Sequence, residues 1–103
     1  MGQTEDERRK KQRFPLKLPV VVSLEASEIR GVSRDVSSAG VFFYVDYWPP
    51  GVSSIEFKMI LPREITQSEN MRALCRGRVV RVEVGSEAEQ TGVVATIDSY
   101  SLR

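Results

Sequence analysis

The chain has 103 residues, of which 41% are hydrophobic and 28% charged, and its formal net charge is +1. This length suits one globular domain, and the near-neutral charge gives no general attraction for nucleic acid. The sequence contains no histidine and a single cysteine, Cys75, which excludes Ser-His-Asp and Cys-His catalysis, an internal disulfide and the commonest zinc ligand.

The first 13 residues predict a flexible basic arm. Three acidic residues at positions 5–7 precede the basic run Arg-Arg-Lys-Lys-Gln-Arg at positions 8–13. The segment has no apolar residue after Met1, so it has nothing to bury. Taken alone, such a run is typical of a solvated surface.

The remaining residues, 14–103, predict an all-β domain. Short segments rich in β-branched and aromatic residues alternate with turn-forming residues, and no long segment has a helical period. In the clearest segment, one face carries Ile55, Phe57, Met59 and Leu61. Residues 63–70 predict a polar loop with a helical turn. The predicted strands are residues 14–24, 28–36, 41–46, 54–61, 74–84 and 92–97. This pattern predicts a small antiparallel barrel or sandwich.

Two short motifs carry the functional signal. Arg9 and Arg13 lie four residues apart at the end of the arm, and the segment Asp-Val-Ser-Ser-Ala-Gly places Asp35, Ser37 and Gly40 between two predicted strands. Alone, the second motif is typical of a turn in which Asp and Ser bond to the backbone and Gly supplies positive φ.

Together, and in this order, the motifs resemble those of the PilZ domain family, which carries Arg-x-x-x-Arg before its first strand and Asp/Asn-x-Ser-x-x-Gly between its second and third strands. The resemblance extends over residues 8–97. It implies a six-stranded antiparallel β-barrel of PilZ type, with a flexible basic N-terminal arm, that binds the bacterial second messenger cyclic di-GMP. The implied ligand-binding residues are Arg8, Arg9, Arg13, Asp35, Ser37 and Gly40.

The chemistry of these residues suits that ligand. Arginine offers a planar fork of donors that fits phosphate and also guanine O6 and N7. The Asp35 carboxylate can accept bonds from guanine N1 and N2, Ser37 can bond to base or phosphate, and Gly40 keeps side-chain bulk away. Arg8 has two open interpretations: stacking on guanine, which favours an intercalated ligand dimer, or one more solvated charge. If the strand pairing is regular, Arg34 points to the opposite side of its strand from Asp35, and it is not counted as a ligand residue.

Three alternatives stay open at this point. The first is a PilZ-like interaction module that works through a protein partner without nucleotide. The second is a nucleic-acid-binding barrel. In that case bases would stack on the consecutive aromatic residues 42–44, and the arginines at 76, 78 and 81 would form a basic stripe. The third is an enzyme that uses carboxylates. The favoured interpretation is a non-catalytic receptor, monomeric or dimeric, that signals to a downstream effector protein and needs neither metal nor cofactor.

The sequence also gives an expectation about location. No run of apolar residues is long enough for a membrane span, and the charged start is not followed by the apolar segment of a signal peptide. A single cysteine fits a reducing compartment. We therefore expect a cytoplasmic protein that does not insert into membranes.

Overall fold

The computed structural model describes residues 13–67, 69–84 and 90–103. Within these residues the chain forms seven strands and one four-residue helix. They are β1 (Pro19–Ser23), β2 (Glu28–Val36), β3 (Gly40–Val45), β4 (Ser54–Leu61), α1 (Arg63–Thr66), β5 (Met71–Val84), β6 (Thr91–Thr96) and β7 (Ser99–Leu102). Across this described part, no helix has the length and apolar character needed to cross a membrane.

Six of the strands close into an antiparallel barrel in the order β4-β1-β2-β3-β6-β5, and pairing between β4 and β5 completes the ring. The long strand β5 makes this closure possible because its two halves pair differently. Its first half pairs with β4 and also with β7, whereas its second half pairs with β6. The predicted six-stranded barrel is therefore confirmed.

The structure differs from the prediction in the first strand and in the segment after β6. The first strand was expected over residues 14–24, but β1 covers only Pro19–Ser23, and Phe14 forms an isolated bridge with Val36 instead. Strand β7 was not predicted, because its four residues are polar or exposed and carry no buried alternation. It forms because the chain beyond β6 continues along the same edge of β5, where Cys75 pairs with Tyr100.

The barrel is filled by inward-facing apolar side chains from every strand of the ring. Strand β4 shows the predicted alternation, with Ile55, Phe57 and Met59 buried and Leu61 partly buried at its end. Phe43 is fully buried and its ring lies 6.1 Å from that of Trp48. Each such side chain stabilises the fold by about 1.5–3 kcal/mol through burial. The barrel therefore provides a rigid support for the strand ends and loops around it.

Candidate functional site

The candidate site is built on an irregularity in β2. Ser33 pairs with Phe43 and Asp35 pairs with Phe42, so Arg34 is an extra residue opposite β3, which is a β-bulge. A bulge interrupts the alternation of side chains along a strand. The regular pairing on which the expected orientation of Arg34 depended is therefore absent. Arg34 is exposed, yet its Nε donates a hydrogen bond of 2.6 Å to Asp35 Oδ2.

The aromatic ring of Phe42 supports Arg34 from the outer surface of the barrel. The guanidinium carbon lies 3.8 Å from the centre of this ring, within cation–π distance. Phe42 in turn meets Tyr44 edge to face, with ring centres 5.3 Å apart. Because Phe42 and Tyr44 pack on each other outside the core and Phe43 packs inside it, the three consecutive aromatic residues do not form one open stacking surface.

The base of the N-terminal arm is held against the same end of β2. Phe14 and Val36 exchange two backbone hydrogen bonds, with N···O distances of 2.8 and 2.9 Å. Further along, the Leu18 amide donates to Ser33 Oγ at 2.8 Å, and Ser33 is almost fully buried. These bonds bring Arg13, the residue before Phe14, to the Asp35 side chain.

Arg13 and Asp35, from the two sequence motifs, meet directly. The Arg13 Nη1 donates a hydrogen bond of 2.6 Å to Asp35 Oδ1, although the residues are 22 positions apart. Each carboxylate oxygen of Asp35 therefore holds one guanidinium group, Arg13 on Oδ1 and Arg34 on Oδ2. The Asp35 side chain is only 12% exposed, whereas the two arginine side chains are 43% and 52% exposed. The arrangement has one net positive charge and presents it to solvent.

The electrostatics of Asp35 follow from these neighbours. Burial of the carboxyl group raises its pKa, but the hydrogen bonds from Arg34 and Arg13, together with their charges, outweigh this effect. The pKa of Asp35 therefore lies below its ordinary value, and the side chain is a carboxylate at neutral pH. The same hydrogen bond to Asp35 raises the pKa of Arg34, so both partners carry full charge.

Ser37 and Gly40 form the tight turn that follows β2. The Ser37 amide donates to the Gly40 carbonyl at 2.8 Å, and the amides of Ala39 and Gly40 both donate to Ser37 Oγ at 3.1 Å. Ser37 is 7% exposed, and its oxygen is already engaged by this turn. Ser37 therefore stabilises the turn beside Asp35 by hydrogen bonding to the backbone, as is typical of such turns.

Gly40 has a different structural role from the one expected of a turn glycine. Within the described residues, positive φ occurs at Gly51 and Gln67 and not at Gly40, so that expectation is wrong. Gly40 is needed instead because its neighbours approach closely: a Cβ atom there would lie 2.9 Å from the Ala95 carbonyl oxygen and 3.7 Å from Arg13 Nη2. The close approach of the Ala95 carbonyl is therefore what requires glycine here, whereas a Cβ would be in ordinary contact with Arg13.

Of the six predicted ligand residues, the structure brings four together: Arg13, Asp35, Ser37 and Gly40. Arg8 and Arg9 lie outside the described residues, so their roles stay predictions, as does the extent of the arm over residues 1–13. Sequence reasoning missed Arg34 and Phe42. No local signal marks the bulge that joins them to the site, since it arises from the pairing of β2 with β3.

Other chemistry-bearing residues lie apart from this site. Cys75 is buried in the barrel, and burial raises the pKa of its thiol to about 11. This agrees with a packed structural residue rather than a reactive one. Among residues 13–67, 69–84 and 90–103, no three His, Cys, Asp or Glu side chains are grouped in a way that could hold a metal ion.

Comparison with known proteins agrees with this architecture. The model of the PilZ domain family matches residues 7–101. Among solved structures, the Bacillus subtilis inhibitor of motility (MotI/DgrA) is similar, with a TM-score of 0.71 and 21% sequence identity over 91% of this chain. The matched region makes up 44% of that protein, so the present chain spans less than half of its length. No curated protein has a significant match to the chain.

Proposed function

The chain belongs to the PilZ domain family, and we propose that it is a non-catalytic receptor for cyclic di-GMP. The observation that carries the proposal is the contact between the two motifs: the arm residue Arg13 and the turn-flanking residue Asp35 meet at 2.6 Å on one side of the barrel. Donors for phosphate and acceptors for guanine are thus concentrated at a single place, beside the turn that contains Ser37 and Gly40.

Ligand binding is proposed to work by exchange of partners. Both oxygens of Asp35 are held by arginines in this structure, so a guanine that donates N1–H and N2–H to this carboxylate replaces at least one of them. Arg13 is the one to leave, because it belongs to the arm, whereas Arg34 is fixed by its strand and by Phe42. The released Arg13 then bonds to a phosphate or to guanine O6 and N7.

This exchange also suggests how binding becomes a signal. We propose that the arm, residues 1–13, closes over the nucleotide and forms a surface that a downstream effector protein recognises in the bacterial cytoplasm. Ordering the arm opposes binding by roughly 1–2 kcal/mol per backbone residue fixed. Charge-assisted bonds of about 1.5–3 kcal/mol each have to offset this. Amide hydrogen exchange should show more protection in the arm when ligand is added, and equal protection would refute the closing arm.

The direct test is calorimetric titration of the full chain with cyclic di-GMP, with GTP as a control ligand. Arg13→Ala and Asp35→Ala should each lower affinity by about 10-fold to 100-fold, as expected for the loss of one charge-assisted bond. Arg78→Ala is the matched control, because Arg78 is also paired with an aspartate, Asp98, but on another part of the surface. The affinity of the Arg78→Ala variant for cyclic di-GMP should be unchanged.

The molar ratio in the same titration reports on Arg8. Two ligands per chain would support a stacking role for this arginine, and one ligand would favour a solvated charge. Absence of heat from folded protein would refute the receptor proposal. The motifs would then serve only the turn and the arm, and the interaction module that works through a protein partner would become the better account.

A further inference from the structure

The second half of β5 has one open edge. Along the first half, β4 pairs with one edge of β5 and β7 with the other. Strand β6 lies on the same edge as β7, since Asp98, between the two, donates its amide to the Arg76 carbonyl. Pairing with β4 ends at Arg78, and the Val79 amide makes a last bond to Ser53. Within the described residues, no strand pairs with the opposite edge of residues 80–84.

This edge is unusually apolar for an exposed strand. Val80, Val82 and Val84 are 63%, 41% and 85% exposed. Between them lie Arg81 and Glu83, which form an ion pair of 2.6 Å on the strand surface. Natural proteins protect open edges with charges and bulges, because free N–H and C=O groups accept another strand. The register of β5 with β6 shifts between Val79 and Arg81, so Val80 is a bulge residue and the regular part of this edge begins at Arg81. Here the two charges have opposite sign and are placed symmetrically about Val82.

From this symmetry we propose that the open edge of β5 pairs with the same edge of a second copy of the chain, antiparallel and about a two-fold axis at Val82. In that register Val82 lies opposite the partner's Val82, at the centre of the charged pair that follows the bulge. Arg81 lies opposite the partner's Glu83, and the reverse contact repeats by symmetry. In this register each cross-strand pair of charged residues joins opposite charges, so the electrostatic interaction between the two copies is attractive.

The charge pattern favours a second copy over another occupant. A peptide of arbitrary sequence added to this edge would satisfy the backbone groups but would match Arg81 and Glu83 only by chance. A second copy matches both charges and places Val82 against the partner's Val82. Opposite charges and β-branched pairs directly across an antiparallel ladder are the contacts that stabilise it. This inference does not depend on the proposed ligand.

The test measures the oligomeric state of the full chain by sedimentation equilibrium, from about 10 µM to about 1 mM, where weak complexes become populated. The parent chain should dimerise reversibly. Arg81→Glu and Glu83→Arg alone should each weaken the dimer roughly tenfold or more, because each places like charges opposite one another twice. The double variant, Arg81→Glu with Glu83→Arg, should restore the parent affinity.

Two further variants test whether the dimer interface lies at the open edge of β5. Val82→Lys should abolish the dimer, since it puts two ammonium groups at the axis. Val32 lies on β2 and is 48% exposed, so Val32→Lys should leave the dimer intact. Circular dichroism of each variant checks that the barrel is folded. A parent chain that is monomeric throughout would overturn the proposal, as would a dimer that survives Val82→Lys. A double variant no better than the single ones would also overturn the proposed register.

Discussion

Replacing Asp35 by asparagine isolates the contribution of its charge, because asparagine keeps the shape and one acceptor oxygen. Hydrogen bonds to charged groups contribute about 1.5–3 kcal/mol where solvent is excluded. Both arginine partners are substantially exposed, and exposed ion pairs contribute only about 0–1 kcal/mol each. We therefore expect Asp35→Asn to lower the free energy of unfolding by about 1 kcal/mol at pH 7.

The pH dependence makes this prediction specific. The pKa of Asp35 is lowered in the folded chain, whereas in the unfolded chain it is about 3.9. The stabilisation is therefore fully present above the unfolded pKa and is lost as the pH falls through the lower folded pKa. The difference between the parent and Asp35→Asn should shrink from about pH 5 downward.

Urea denaturation of both proteins at pH 7, 5 and 3 measures this difference directly, because the titration of every other carboxyl group is common to the two chains. Asp98→Asn serves as a control, since Asp98 in its pair with Arg78 is 44% exposed whereas Asp35 is 12% exposed, and it should have a smaller effect. An Asp35→Asn difference that is equal at pH 7 and pH 3 would show that the loss is not electrostatic and would refute the reasoning.

Three further predictions concern the barrel. Ser33→Ala should lower the free energy of unfolding by about 1–3 kcal/mol in urea denaturation, because the Leu18 amide loses its buried acceptor; an unchanged midpoint would contradict this. Gly77→Ala should destabilise by at least about 1–3 kcal/mol, since a Cβ would lie 1.8 Å from the Thr96 carbonyl oxygen, and a thermal midpoint equal to the parent's would disprove the close contact. At pH 8 the thiol of Cys75, with its pKa raised to about 11 from 9.0, should react with iodoacetamide about 100-fold more slowly in the folded chain than in urea. Equal rates would show that the thiol is accessible.

The sequence predicted most of the architecture because the strands have clear local signals. The alternation in β4, for example, is set by Ile55, Phe57 and Met59, and burial in the structure follows it. The two motifs also indicated a common site, and the contact of Arg13 with Asp35 agrees with that. These features depend on residue types and spacing, which can be read directly from the chain.

The remaining features depend on pairing between distant segments. The contact of Arg34 with Asp35 was missed because the bulge exists only through the register of β2 with β3. The turn interpretation of the motif gives Gly40 a positive φ, whereas its need for glycine comes from the distant residue Ala95, which approaches from β6. Strand β7 forms on an edge that β5 provides. None of these contacts leaves a local pattern in the sequence.

The two guanidinium groups on Asp35 also determine how the proposed receptor should respond to ionic strength. Added salt screens the attraction between arginine and phosphate, but it also weakens the internal ion pair that the nucleotide has to break. The two effects act on affinity in opposite directions. Binding should therefore decline less steeply with salt than the number of arginine–phosphate contacts would suggest. The internal ion pair would thus make the proposed receptor less sensitive to changes in the ionic composition of its surroundings.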